Sequence, residues 1–344
     1  RSLAPTDGNA ARSVAYGYTN NSGTTAIGIK LPINGTTATL TVPNDLKDGT
    51  YVNLTVTFVS ALVGGADEAS AVALTDNTVT NFAGGWYKVD SNITFDHTLN
   101  LLGDTHLIID DGKTMTVNTA SNRGIDSDYT LFVRGDGALS VTTTADYGIA
   151  VRVGNYVQTG ATVTASGSYG IRCTDAFIAF DFDNDFTFSG GQLTATGSGV
   201  GGIWADNDIT LSCTNATDFI QASSYSSAHG AVKIAEGNAL TDGTEASNGM
   251  NGYSGTLTDE QITAIDGKTL HRAVTTSYVD ASGTLHENVI AIPLDNTMTT
   301  LPAGTYVVNS DVAYTGTVTL SGDVTLILGD GKAMTVTNTG TAVN

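Results

Sequence analysis

The stretch GWYKVDSNITFDHTLNLLGDTHLIIDDGKTMTVNTASNRGI (residues 85–125) returns as GTYVVNSDVAYTGTVTLSGDVTLILGDGKAMTVTNTGTAVN (residues 304–344). One ungapped shift of 219 residues relates the two, and it gives 22 identities over the 54 positions of residues 64–117. Tyr87 falls on Tyr306, Gly103 and Asp104 on Gly322 and Asp323, and Asp111, Gly112 and Lys113 on Asp330, Gly331 and Lys332. Upstream, Asp76, Asn77 and Thr78 fall on Asp295, Asn296 and Thr297. Matching of this length without a gap marks a duplicated unit, present in about one and a half copies.

Between the copies runs a shorter period. Gly followed by an apolar residue recurs at Gly124-Ile125, Gly148-Ile149, Gly170-Ile171, Gly202-Ile203 and Gly230-Ala231, at spacings of 24, 22, 32 and 28 residues. That is the length of one coil of a parallel β-helix, in which three short strands and three turns bring the chain back over itself. Leu107-Ile108-Ile109, Leu131-Phe132-Val133 and Ile209-Thr210-Leu211 are assigned to one face of the coil. Met115-Thr116-Val117, Leu139-Ser140-Val141, Val163-Thr164-Ala165 and Leu193-Thr194-Ala195 are assigned to the next, their apolar members inward and Thr116, Ser140, Thr164 and Thr194 outward.

Composition agrees with this reading and excludes others. Forty glycines, 5 prolines and only 14% charged residues leave Thr, Ser, Asn and Gly in the polar positions, which suits strands and tight turns. The formal net charge of −20 argues against nucleic acid and anionic membranes as partners. No run of about 20 apolar residues is present, so no membrane insertion is expected. Two cysteines exclude a disulfide-dense scaffold and a multi-cysteine zinc site. Cys173 and Cys213 read equally as a bonded pair on neighbouring coils or as two buried thiols. The start at Arg1, with no initiator Met and no signal peptide, reads as a processed or truncated chain and leaves secretion open.

In order, residues 1–48 read as an N-terminal antiparallel β unit, a cap or docking element, with turns at Asn20-Asn21-Ser22-Gly23 and Asn34-Gly35. Residues 49–84 form a hairpin-like lead-in, residues 85–235 a β-helix of about five or six coils, and residues 236–268 a connector. Within the connector a short helix is expected over residues 259–266, with Thr258 and Gln261 at capping-box spacing and Gly267 as the stop. Residues 269–303 are the second lead-in and residues 304–344 the incomplete start of a second β-helix. The tandem coils, the Gly-apolar corner and the lead-in GTYVVNSDVAYTGTVTLSGDVTLILGDGK resemble the right-handed parallel β-helix repeats of bacterial secreted surface proteins and adhesins. The resemblance covers roughly residues 49–344 and implies an all-β solenoid fold; such solenoids host adhesins, fibres, lyases and tailspikes alike.

Candidate sites are few. Asp181, Asp183, Asn184 and Asp185, with Asp175 nearby, alternate with phenylalanines and concentrate hard oxygens of the kind that hold calcium. They lack the Gly and Glu of an EF-hand loop, and a solvated acidic loop is the plainer reading. The coil Gly202 to Cys213 and the step His229-Gly230 look like parts of a pectinase-type enzyme, but no paired Asp-Asp and no Arg-x-Lys accompany them. The outward Thr116 and Asn118, Ser140 and Thr142, Thr164 and Ser166, Thr194 and Thr196 resemble the Thr-x-Thr face of ice-binding solenoids, although only Thr194 and Thr196 form such a pair. Trp86 and Trp204 read as core or corner residues ahead of sugar platforms. Asn20, Asn34, Asn53, Asn92 and Asn215 head glycosylation sequons. No residue is assigned to catalysis. The expectation is an extracellular, cell-surface structural or adhesive protein that associates with itself end to end, because a second solenoid stopping after Val336 leaves strand edges and an apolar cross-section to be covered. The competing expectation is a protein that binds or degrades polysaccharide.

Overall fold

The computed structural model describes residues 61–121, 123–174, 184–246 and 249–343, together with the backbone of short strands between Ser2 and Thr39. Those strands pair antiparallel, Ser2–Leu3 with Ala38–Thr39, Ser13–Val14 with Leu31–Pro32 and Tyr18–Asn20 with Gly23–Thr25. The rest of the unit read at residues 1–48 lies outside the described residues. Strands make up 57% of the protein and helix 4%, and parallel sheets stack as a β-solenoid of about 10 turns.

Each coil of the solenoid visits three faces. On the first, Gly85–Val89, Thr105–Ile109, Leu131–Gly135, Tyr156–Gln158, Phe186–Phe188, Ile209–Leu211 and Val232–Ile234 stack in parallel. The second face stacks Ile93–Phe95, Thr114–Thr119 and Ala138–Thr143 on the first halves of the long strands Thr162–Cys173 and Gln192–Ala205. The third stacks Leu99–Leu101, Arg123–Ser127 and Tyr147–Val151 on the second halves of those strands, followed by Tyr225–Ser227. Alternation decides which residues face the axis. Met115, Leu139, Val163 and Leu193 are register partners and buried, as are Val117, Val141, Ala165 and Ala195. Thr116, Ser140, Thr164 and Thr194 form the intervening outward row, so the sequence-derived rows are the observed ones.

The Gly-Ile corners have a steric origin. Ile125, Ile149, Ile171 and Ile203 stack and are buried. A Cβ on Gly124 would lie 2.6 Å from the Gly148 carbonyl oxygen, one on Gly148 2.6 Å from that of Gly170, and one on Gly170 2.8 Å from that of Gly202. No side chain fits between coils that close. Gly230-Ala231, expected to be the fifth member, is not on this ladder: Tyr225 is the partner of Ile203, and Ala231 instead enters the first face ahead of Val232–Ile234. The pattern repeats locally there because the chain turns a different corner.

The connector ends the first stack. Its helix, Asp259–Ile265, carries the expected capping box between Thr258 and Gln261, and Gly267 follows at φ 71°. Ile265 is fully buried against the solenoid core, Gly267 N–H donates to the Ala222 carbonyl and Tyr225 N–H to Asp266 Oδ1. Thr269–Val279 then pairs antiparallel with Phe219–Ala222, which reverses the parallel order. Thr269–Val279 and Leu285–Pro293 form a true hairpin, and Ile292 and Pro293 pair in parallel with Tyr306 and Val307. The second lead-in is itself hydrogen-bonded to the connector, His271–Ala273 to Ala239–Thr241 and Ile290 to Gly249.

Sequence repetition is also structural repetition. Ile93 and Met115 pair as do Val312 and Met334, and Tyr87 and Leu107 as do Tyr306 and Leu326. Asn92 Oδ1 accepts from Thr114 N–H at 2.9 Å, and Asp311 Oδ1, at the same place in the second copy, accepts from Ala333 N–H at 3.0 Å. In both Asp-Asn-Thr turns the Asp carboxylate accepts from the Thr amide, at 2.9 Å and 2.8 Å. The turns after Asp110 and Gly329 owe their geometry to Gly112 and Gly331, at φ 65° and 67°, rather than to the acidic residue before each.

Candidate functional site

A ladder of polar side chains runs along the corner between the third and first faces. Asp104 Oδ1 accepts from Thr130 N–H at 3.0 Å, Thr130 Oγ1 from Asn155 N–H at 3.3 Å and Asn155 Oδ1 from Asp185 N–H at 2.8 Å. Asp185 Oδ1 accepts from Asp208 N–H at 3.0 Å, and Asp208 Oδ1 from Ala231 N–H at 2.8 Å. The register makes each donor the positional equivalent of its acceptor, one coil on. Every rung thereby satisfies a backbone amide that the turn leaves outside the sheet. Lys233 bonds Asp208 from the side and holds its carboxyl below the usual range.

This ladder places part of the calcium candidate. Asp185 Oδ1 is engaged by Asp208 N–H and by Asn207 Nδ2 at 2.9 Å. Asn184 is fully buried, with neither side-chain amide atom partnered. Asp175, Asp181 and Asp183 lie outside the described residues. Among the described residues no group of three or more His, Cys, Asp or Glu side chains is placed to hold a metal. Cys173 and Cys213 are both buried and unbonded; Cys173 ends a third-face strand and its neighbour in the next coil is Ala205. Burial pushes both thiols up.

Two arrangements outside these assignments have the geometry of interaction sites. The first is the last coil of the second copy. Leu101, Leu107 and Ile109 of the first copy are buried, at 4%, 4% and 0% exposure, beneath Arg123–Ser127 and Leu131–Gly135. Their equivalents Leu320, Leu326 and Leu328 are 38%, 41% and 57% exposed. Thr319–Leu328 pairs with Thr300–Val308 on one side, and among the described residues no strand pairs with its other side. Asp323 stands at the rung equivalent to Asp104, without a following coil among the described residues to supply the amide.

The second is a set of outward rings on the third face. Arg123, Tyr147, Tyr169 and Gly201 form one register row, and Asp126, Ala150, Arg172, Trp204 and Ser226 the next. The Arg172 guanidinium lies 4.9 Å from the Tyr147 ring centre, 5.1 Å from Tyr169 and 5.9 Å from Trp204, and donates to the Tyr147 hydroxyl. Trp204 meets Tyr169 edge to face at 6.0 Å. Arg123 and Arg152 each reach Asp126 at 3.1 Å, and Arg152 also reaches Asp128 at 2.8 Å. On the first face Trp86, His106 and Phe132 stack at 3.9 Å and 4.2 Å, with Arg134 over Trp86. Burial beside Arg134 lowers the His106 pKa. Both tryptophans are half-buried members of outward rows, where a core or corner position was expected. The signal was present in sequence: Arg123, Tyr147 and Tyr169 each stand directly before a ladder glycine.

No known protein family matches the chain, and no curated protein and no solved structure matches it.

Proposed function

We propose that the protein is a structural element of an extracellular, cell-surface assembly, that it joins a second copy of itself end to end, and that it performs no catalysis. The observation that carries this reading is the change in exposure between equivalent residues: what the next coil covers at Leu107 and Ile109 stands open at Leu326 and Leu328. Fully burying a leucine contributes roughly 1.5–3 kcal/mol. The side of Thr319–Leu328 that no strand pairs with among the described residues, together with the Asp323 rung, offers a matching set of hydrogen bonds. A second copy meets both demands by adding a strand in parallel to this edge.

Electron microscopy and sedimentation over a concentration series test this. Strings with a regular axial repeat are expected, and Leu326→Glu with Leu328→Glu should dissolve them without altering the far-UV circular dichroism, since both side chains are exposed in the free chain. Monomers at every concentration, or strings indifferent to both substitutions, overturn the reading.

A further inference from the structure

We infer that the third face carries a binding site for a neutral glycan, centred on Tyr169, Arg172 and Trp204; it stands independently of the end-to-end association proposed above. The rings are not a continuous ladder. Tyr169 is followed in its row by Gly201, and Trp204 in its row by Ser226, so the aromatic wall ends in a step with a small residue beside each ring. One side of Trp204 is occupied by Tyr169 and Arg172, whereas the residue that follows it along the axis is a serine.

The chemistry of the step selects the ligand class. A pyranose ring offers C–H groups on its face and hydroxyls around its edge, and the site offers aromatic faces beside planar nitrogen donors. Arg172 makes no ion pair among the described residues, unlike Arg123, Arg134 and Arg152. The Trp204 indole N–H is left without an acceptor, and the Arg172 Nε shares that state with those of Arg123, Arg134 and Arg152. Successive coils rise by about 4.8 Å, close to the length of one sugar unit, so an extended chain can follow the axis from Tyr147 to Trp204. A net charge of −20 disfavours an acidic polymer and leaves a neutral one.

The two tryptophans make the test direct, because Trp86→Phe leaves Trp204 as the sole indole reporter. Cellohexaose, xylohexaose, chitohexaose and trigalacturonate are titrated against this variant by fluorescence, and against the parent protein by calorimetry. The expected result is a saturable emission change with at least one neutral probe, and binding weakened by about tenfold or more in Arg172→Ala and Tyr169→Ala. Gly201→Ala supplies a second test, since its methyl group fills the step and meets only the Ser224 hydroxyl within 3 Å; it should block binding while the melting temperature stays near that of the parent. No saturable response to any neutral probe, a response confined to trigalacturonate, or full affinity in all three variants overturns the inference.

Discussion

At the Gly-Ile corners one methyl group decides whether two coils can stack. Gly148 meets the Gly170 carbonyl at 2.6 Å and Ser166 N at 2.9 Å once a Cβ is added, and neither is a side chain that can swing away. Gly148→Ala should therefore cost about 1–3 kcal/mol, read as a lowered melting temperature. Gly199→Ala, where a Cβ meets nothing within 4 Å, should stay within about 0.5 kcal/mol. Equal effects at the two sites would refute the close-approach account. These corner glycines were legible in the sequence because the constraint is strict and recurs in four successive coils, at Gly124, Gly148, Gly170 and Gly202. The corner ladder was not, since Asp104, Thr130, Asn155, Asp185 and Asp208 differ in type and only the register reveals that each serves the amide of the next. Asp185 therefore read as a calcium ligand from its acidic neighbours, although its Oδ1 is a rung.

At the scale of elements, the helix Asp259–Ile265 is too short to be stable in isolation and depends on its capping box and its docking. Thr258 Oγ1 accepts from Gln261 N–H, and Gln261 Oε1 accepts from Thr258 N–H. Thr258→Ala should cost about 1 kcal/mol and raise amide exchange first in the helix and at Gly267 and Tyr225, whose N–H groups bond the Ala222 carbonyl and Asp266 Oδ1. Exchange unchanged at those positions would show that the helix does not cap the stack. The helix itself could be read from Thr258, Gln261 and Gly267. Its role could not, because the antiparallel pairing of Phe219–Ala222 with Thr269–Val279 joins segments far apart in the chain. The outward rows of the third face were hidden for a related reason: Tyr147 and Arg172 meet across coils of unequal length, which composition does not fix.

For the whole molecule, the buried residues divide into one large core from Leu74 to Leu270 and smaller clusters in the second copy around Tyr306 and Val307. Solenoid stability is a sum of coil and neighbour terms, so cores that do not merge need not melt together. Calorimetry should show two transitions, the second copy melting first, and Tyr306→Ala should move only the lower one. A single transition shifted by Tyr306→Ala would mean that the connector couples the cores fully. The direction of the hydrogen bonds carries a mechanical consequence. Coil-to-coil bonds lie along the stacking axis, so a pull between the two ends of the rod loads one layer after another instead of shearing a whole sheet at once. Under tension the rod should lengthen by peeling single coils, each detached loop absorbing part of the stretch, while the layers behind it stay folded.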